Sequence, residues 1–572
     1  MYDLIIKDGL ITDGTGRDAY LADIAVKDGK IAAIGRLQEV ADRIIDATGK
    51  YVTPGFIDPH SHADLSLLVW PKNEAYTLQG VTTQICGNCG LAPAPINDEL
   101  WEFFCWEYKS VNRACKSVFD MYTWQSDADA TRKALKEDYD LNVGWHTLGE
   151  FMDIAEKHGF SCNYYPISGH NHIRNAVMGK AYRPATDEEI EKMKEILRDD
   201  LEHGSQGLST GLDYIPGRFA ETKEIEALLN IVAEYDGVYN THVRGFDPKH
   251  PEKLDRIYGV REAVELCRRT GVKTDLSHMS ALYSFSPSGS EKLERAVAEI
   301  SRAEMEKGWK EGLNIMYDVI ANPSMGGSTI PYLANLVRPW LLMCGSMDHF
   351  LEMLEFPDFV QMMADQTAAG KSPLLLEMDE LDIKITRCLQ SKYEDKLLAD
   401  IVEENGFASR LDAVLTILKA DPNTEVTPQI AGGDTAVSIL LDSPRAMPCA
   451  DGFAVDLDSE MDYPAPLNRK PHPNNYCYAI RYLLHYGPQR FEDKVKQMTS
   501  VPAQWFGIEG RGVLAEGNWA DIVVLDRERL CANEGNGSPE GVDYVIINGQ
   551  IAADHRKHTG VLAGKVLRKA RH

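Results

Sequence analysis

The apolar positions of this chain follow two rhythms. At both ends they come as short runs broken by turn residues; through the middle, such runs alternate with stretches at helical spacing. Leu4-Ile5-Ile6, Gly9-Leu10-Ile11, Ile24-Ala25-Val26 and Lys30-Ile31-Ala32-Ala33-Ile34 read as short strands. Asp8-Gly9, Asp13-Gly14 and Asp28-Gly29 supply the positive-φ positions that hairpin turns need. Ala520-Asp521-Ile522-Val523-Val524-Leu525-Asp526 and Val542-Asp543-Tyr544-Val545-Ile546-Ile547-Asn548-Gly549 look alike at the other end. Neither end has the apolar surface to stand alone, so the two are expected to pair into one small β domain.

The middle alternates strand and helix. From Thr186 to Leu201 a capping box, Thr186 with Glu189, precedes Ile190, Met193, Ile196, Leu197 and Leu201 on one face, and Gly204 ends the stretch. A second helix from about Lys223 carries Ile225, Leu228, Leu229, Val232 and Ala233, and stops at Gly237. Val238-Tyr239-Asn240-Thr241-His242 then reads as a strand ending in histidine. A helical stretch follows around Val260 to Arg269, and Val272-Lys273-Thr274-Asp275-Leu276-Ser277-His278 is another strand ending in histidine. Repeated units of this kind close most simply into a (β/α)8 TIM-type barrel, with its chemistry at the C-terminal ends of the strands. The expected organisation is α/β: a barrel over residues 55–490, and a small β-sandwich domain built from residues 1–54 and 491–572.

Composition narrows the function. The chain has 572 residues, 44% hydrophobic and 26% charged, an ordinary globular balance. A net charge of −27 disfavours nucleic acid and anionic membranes as partners; a small-molecule substrate is what the candidate chemistry below calls for. The sequence leaves open whether the chain is a monomer or a homo-oligomer. Acidic residues interrupt the N-terminal apolar run where a signal peptide needs a long core, and no uninterrupted apolar stretch suits a membrane span. Eleven scattered cysteines do not form a disulfide framework, so a cytoplasmic setting is expected.

Candidate chemistry centres on Phe56-Ile57-Asp58-Pro59-His60-Ser61-His62. In a strand, residues i and i+2 share a face, so His60 and His62 can aim two imidazoles at one point. Alone, such a pair is equally two solvated histidines. Two further histidines at strand ends, His242 and His278, favour a metal. Cys89, in Gly87-Asn88-Cys89-Gly90, and Asp451, in Ala450-Asp451-Gly452, also lie beside strand-like runs. The rival reading of Cys86-x-x-Cys89 is a dithiol pair or half a zinc knuckle; that of Asp451 is an ordinary turn.

These landmarks, with Gly207-Leu208-Ser209-Thr210-Gly211-Leu212 and Trp519-Ala520-Asp521-Ile522-Val523, resemble the N-acyl-D-amino-acid deacylase (D-aminoacylase) branch of the amidohydrolase superfamily over nearly the whole chain. The resemblance implies a barrel with a small β domain and a zinc centre in which Cys89 replaces a carboxylated lysine. It assigns the tighter zinc to Cys89, His242 and His278. It sets His60, His62 and Asp451 around a weaker or vacant second position, with Asp451 as general base and then general acid.

Substrate recognition departs from that pattern. Ser277-His278 is followed by Met279-Ser280 where relatives have His-Lys, and the Tyr-Pro-Tyr-like segment reads Tyr317-Asp318-Val319-Ile320-Ala321-Asn322. Two carboxylate contacts are therefore missing. Arg174 and Arg244 are candidate substitutes, with His170 and Tyr214 as further substrate contacts; Arg244 reads equally as a rim ion pair. His170-Asn171-His172 is a second HxH suited to a supporting or loop role, and His472-Pro473 reads as a loop or a substrate contact. The aromatic-rich stretch Trp101 to Trp124 is either a lid over an acyl group or local packing. Hydrolysis of an N-acyl amide of an amino-acid-like substrate is the expected activity. The alternatives are a dipeptide, cyclic amide or lactone on the same centre, and a non-catalytic scaffold.

Overall fold

A computed structural model describes all residues except 39, 97–118, 121–124, 127–132, 134, 138, 180, 182, 214–215, 250–254, 280–290, 323–332, 345–346, 369–382, 429–433, 458–460, 463–467, 470–473, 534–537 and 570–572. Parallel pairing runs from Phe56–Asp58 to Val81–Cys86 and on to Asn163–Pro166. Ile167 alone separates that strand from Ser168–Gly169, from which pairing continues through Gly207–Gly211, Val238–His242, Lys273–Leu276, Ile315–Ile320 and Ala446–Cys449. Beyond the last strand, Ser61 bridges Gly452 in the parallel sense, and the His62 amide donates to the Gly452 carbonyl at 2.7 Å. The pairing thus returns to its start. Because all these strands run the same way, their C-terminal ends emerge together.

Helices fill the connections. Asp187–Glu202 starts at the expected capping box, with both reciprocal bonds between Thr186 and Glu189 made, and buries Ile190, Met193, Leu197 and Leu201. Thr222–Glu234 buries Ile225, Leu228, Leu229 and Val232. Burial of each such side chain contributes about 1.5–3 kcal/mol, enough to hold the helix on the sheet. Asn474–His485, Phe491–Met498 and Ser500–Trp505 also lie against the parallel strands.

Strands from both ends share one nine-stranded sheet, joined where Tyr51–Pro54 pairs antiparallel with Ile522–Leu525. Leu4, Ile6, Ile24, Val26, Val52, Ile522, Val524 and Ile546 form its core. The Asp28-Gly29 hairpin turn is present, with φ of 51° and 78°. Asp8-Gly9 is different. Tyr2–Ile11 is one continuous strand, and Asp8, at φ 54°, sits in an irregularity of its pairing rather than in a turn. A bulge and a hairpin turn both take a left-handed residue, and only the partner strand tells them apart.

Residues 333–426 carry a core of their own, including Leu336, Trp340, Phe350, Met363, Ile385, Ile401, Leu418 and Val426. The sequence pattern does not separate this unit from the barrel region. Among the described residues, no helix is long and apolar enough to cross a membrane.

Candidate metal centre

Each of six candidate side chains stands at or just beyond a parallel strand end: His60 and His62 after Asp58, Cys89 after Cys86, His242 closing its strand, His278 after Leu276, and Asp451 after Cys449. They converge. Cys89 Sγ lies 3.4 Å from His60 Nε2, 3.3 Å from His278 Nε2 and 3.8 Å from His242 Nδ1. His242 Nδ1 and His278 Nε2 are 3.0 Å apart. Asp451 Oδ1 faces His62 Nε2 at 3.1 Å and His60 Nε2 at 3.5 Å. Two donor groups result, Cys89–His242–His278 and His60–His62–Cys89, each with its ligand atoms within 4.8 Å of one another.

The local sequence explains the turns that present these atoms. Cys89, His278 and Asp451 all have positive φ, at 55°, 35° and 51°, a region that non-glycine residues seldom occupy and that clusters at functional sites. Gly87 must be glycine: at φ 87°, a Cβ would stand 1.9 Å from the Ile167 carbonyl oxygen. The Cys89 loop is clamped from both sides. Ser209 Oγ accepts from the Gly90 amide at 2.9 Å and donates to the Gly87 carbonyl. Asp64 accepts from the Gly87 amide at 3.1 Å and from the Tyr164 hydroxyl at 2.7 Å. The Asn88 side chain donates to the Ile85 carbonyl at 2.9 Å and accepts from Asn240 at 3.0 Å. Within the Gly-Asn-Cys-Gly and Gly-Leu-Ser-Thr-Gly segments, Gly87, Asn88, Gly90 and Ser209 make these contacts.

The electrostatics suit a cation. Burial disfavours a thiolate at Cys89, yet His60 and His278 draw its pKa well below the ordinary thiol value. Burial likewise works against charge on His62, while Asp451 and Cys89 raise its pKa to about 10. Asp451 is held below its usual value, burial being outweighed by His62, His60 and His278.

Sequence reasoning missed two carboxylates. Asp318 Oδ2 lies 3.3 Å from His60 Nδ1, and Asp213 Oδ2 lies 3.2 Å from His242 Nε2. Their only signal was position, one on and one just beyond a strand of the parallel set. The substrate-contact candidates have other partners. His170 Nε2 and Arg174 Nε both meet Glu224 Oε1, at 2.8 and 3.0 Å. Arg244 pairs with Glu262 at 2.9 Å and donates to the Ala220 carbonyl, which is the ion-pair reading of that residue. His170-Asn171-His172 opens a helix, His170–Met178, so the two rings do not share a face as they would in a strand. Tyr214, His472 and Ser280 lie outside the described residues, as does the stretch 101–124 apart from Phe119–Asp120.

A model of the amidohydrolase family matches residues 43–136 and 488–553. N-acyl-D-glutamate deacylase of Alcaligenes xylosoxydans xylosoxydans is 27% identical over 584 residues, covering 99% of this chain and 96% of that protein. The chain is thus similar to that deacylase over nearly its whole length. D-aminoacylase of the same organism is 25% identical to it, covering 99% of this chain and 97% of the relative. Among solved structures, N-acyl-D-glutamate deacylase from Bordetella bronchiseptica, complexed with zinc and a phosphonate mimic of the tetrahedral intermediate, superposes with a TM-score of 0.68. That match is at 25% identity and covers 99% of this chain and 100% of that one.

Proposed function

We propose that this protein is an amidohydrolase, a zinc-dependent hydrolase of N-acyl amino acids, D-configured by analogy with its relatives, with Asp451 as its proton-transfer group. The observation that carries the reading is the convergence of Cys89, His60, His62, His242, His278 and Asp451 from five strand ends. The donor set fits zinc, which favours thiolate and imidazole ligands. Cys89, His242 and His278 would hold the tighter ion, and His60 and His62 with Asp451 a weaker one. When bound, zinc lowers the pKa of a coordinated water towards ~7 and polarises a carbonyl oxygen. Asp451, ionised near neutrality, accepts the proton of the attacking water and then delivers it to the departing amine nitrogen. His62 and His60 flank Asp451 Oδ1 and hold it on the donor cluster.

The ring of parallel strands is, on this reading, a (β/α)8 barrel, supported by the Ser61–Gly452 bridge. The small β domain is the nine-stranded sheet shared by the two ends. Arg174 and Arg244 each hold a buried glutamate, so we assign them, with His170, to those buried ion pairs rather than to binding a substrate carboxylate. Tyr214 stays a candidate substrate contact. A cytoplasmic setting rests on the eleven scattered cysteines.

Elemental analysis combined with amine release over N-acyl-D- and N-acyl-L-amino acids tests the reading. Release from the D series by zinc-loaded protein supports it. Turnover confined to dipeptides, cyclic amides or lactones moves the bond cleaved but keeps the centre. Zinc retention with no turnover on any of these overturns the catalytic assignment.

A further inference from the structure

We propose that Asp318 and Asp213 are positioning residues that decide which ring nitrogen of His60 and of His242 faces the ion, one carboxylate for each donor group. The inference rests on the zinc reading above. Each carboxylate sits behind its histidine. Asp318 Oδ2 is 3.3 Å from His60 Nδ1, while the opposite nitrogen, His60 Nε2, faces Cys89 Sγ at 3.4 Å. Asp213 Oδ2 is 3.2 Å from His242 Nε2, while His242 Nδ1 faces Cys89 Sγ at 3.8 Å. The two rings use opposite nitrogens for the same purpose.

A neutral imidazole has one proton to place. A carboxylate only accepts, so the proton settles on the nitrogen next to it and the lone pair is left on the other, where a metal ion needs it. Both carboxylates are kept from turning away. Asp213 Oδ1 accepts from the Gly245 amide at 2.7 Å. Asp318 Oδ1 accepts from the His278 amide at 2.6 Å and from Cys449 Sγ at 3.1 Å. Both residues are buried.

These clamps make the isosteric amide a sharp probe. In Asp213→Asn or Asp318→Asn the amide oxygen stays on the backbone donor, and the nitrogen turns its hydrogens on the imidazole. The ring must then accept on that side, its proton moves to the nitrogen facing Cys89, and a ligand is lost. Asp213→Asn therefore strikes Cys89–His242–His278, and Asp318→Asn strikes His60–His62–Cys89. Asp318 also holds the amide of His278, whose φ is 35°. Its amide variant keeps that bond, so the damage stays with His60.

The test titrates zinc and cadmium into the metal-free full chain against a competing chelator, with the cadmium–thiolate absorption reporting on Cys89. Asp213→Asn is expected to weaken the tight site by about 10–100-fold and to diminish that absorption. Asp318→Asn is expected to leave the tight site and the absorption as in the parent, and to weaken the second site by a similar factor. Imidazole-nitrogen NMR of the zinc-loaded parent provides a reading that needs no variant to fold: protons on His60 Nδ1 and His242 Nε2 are expected. Affinities equal to the parent's in both variants, or protons on His60 Nε2 or His242 Nδ1, would overturn the inference. A parent that takes up no zinc fails at the earlier step and overturns the zinc reading instead.

Discussion

Asp451→Asn tests the proposed chemistry with the least structural disturbance. The residue has φ 51°, which Asn adopts as readily as Asp, and its amide donates to the His60 carbonyl at 3.0 Å whichever side chain it carries. The side chain keeps its volume and its place, 3.1 Å from His62 Nε2. What disappears is an oxygen able to take up a proton. Removing a positioned general acid–base group typically lowers the rate by 10²–10⁴-fold, about 2.7–5.5 kcal/mol of barrier. On the proposed mechanism Asp451 would serve both proton transfers, so the upper half of that range, about 10³–10⁴ in kcat, is expected with KM little changed. Steady-state amine release gives kcat and KM, and elemental analysis of the same sample gives zinc. The pH profile adds a separate check. Asp451 is held below its ordinary value, so the parent should lose activity only as pH falls through that lowered pKa, and the variant should lack this acid limb. Near-normal kcat with zinc retained would refute the role. Loss of zinc together with activity would make Asp451 a ligand before a base.

Other perturbations follow from the same geometry. Gly87→Ala places a Cβ 1.9 Å from the Ile167 carbonyl oxygen, two residues before Cys89. A destabilisation above about 2 kcal/mol in a denaturant melt and loss of the tight zinc are expected, and an unchanged zinc affinity would contradict the loop argument. Asp200 is buried, and that burial raises its pKa to about 7 against an opposing hydrogen bond from Ser168. The folded state therefore holds a proton that the unfolded chain, at ~3.9, has already released, so stability falls as pH rises from about 4 to about 7. Asp200→Asn should match the parent near pH ~4 and exceed it near pH ~8, by at most on the order of 4 kcal/mol; a gap independent of pH would contradict this. Thr186→Ala removes the capping-box acceptor of Asp187–Glu202 and should cost about 1 kcal/mol in the same melt, whereas no change would mean that packing alone holds the helix.

How far the site was legible in the sequence depended on the range of the interaction that defines each residue. His242 and His278 could be found because each closes an apolar run, and parallel strands bring such ends together wherever the helices between them lie. Cys89 is flanked by Gly87 and Gly90, both at positive φ, so the unusual backbone that presents it is written beside it. His278 turns with a φ of 35° and has no glycine next to it. Its amide is held instead by Asp318, forty residues on, a dependence visible only once the strands are paired. Arg174 and Arg244 were legible as cations but their ion-pair partners were not, since Glu224 and Glu262 lie 50 and 18 residues away in later helices. Asp213, just beyond a strand, and Asp318, inside one, had position as their only signal, and position alone does not tell a carboxylate that orients a ligand from one that merely packs. Local patterning therefore exposes the atoms that would touch an ion. The carboxylates that aim those atoms acquire their meaning from the fold, which is why a search confined to motifs finds donors and misses what orients them.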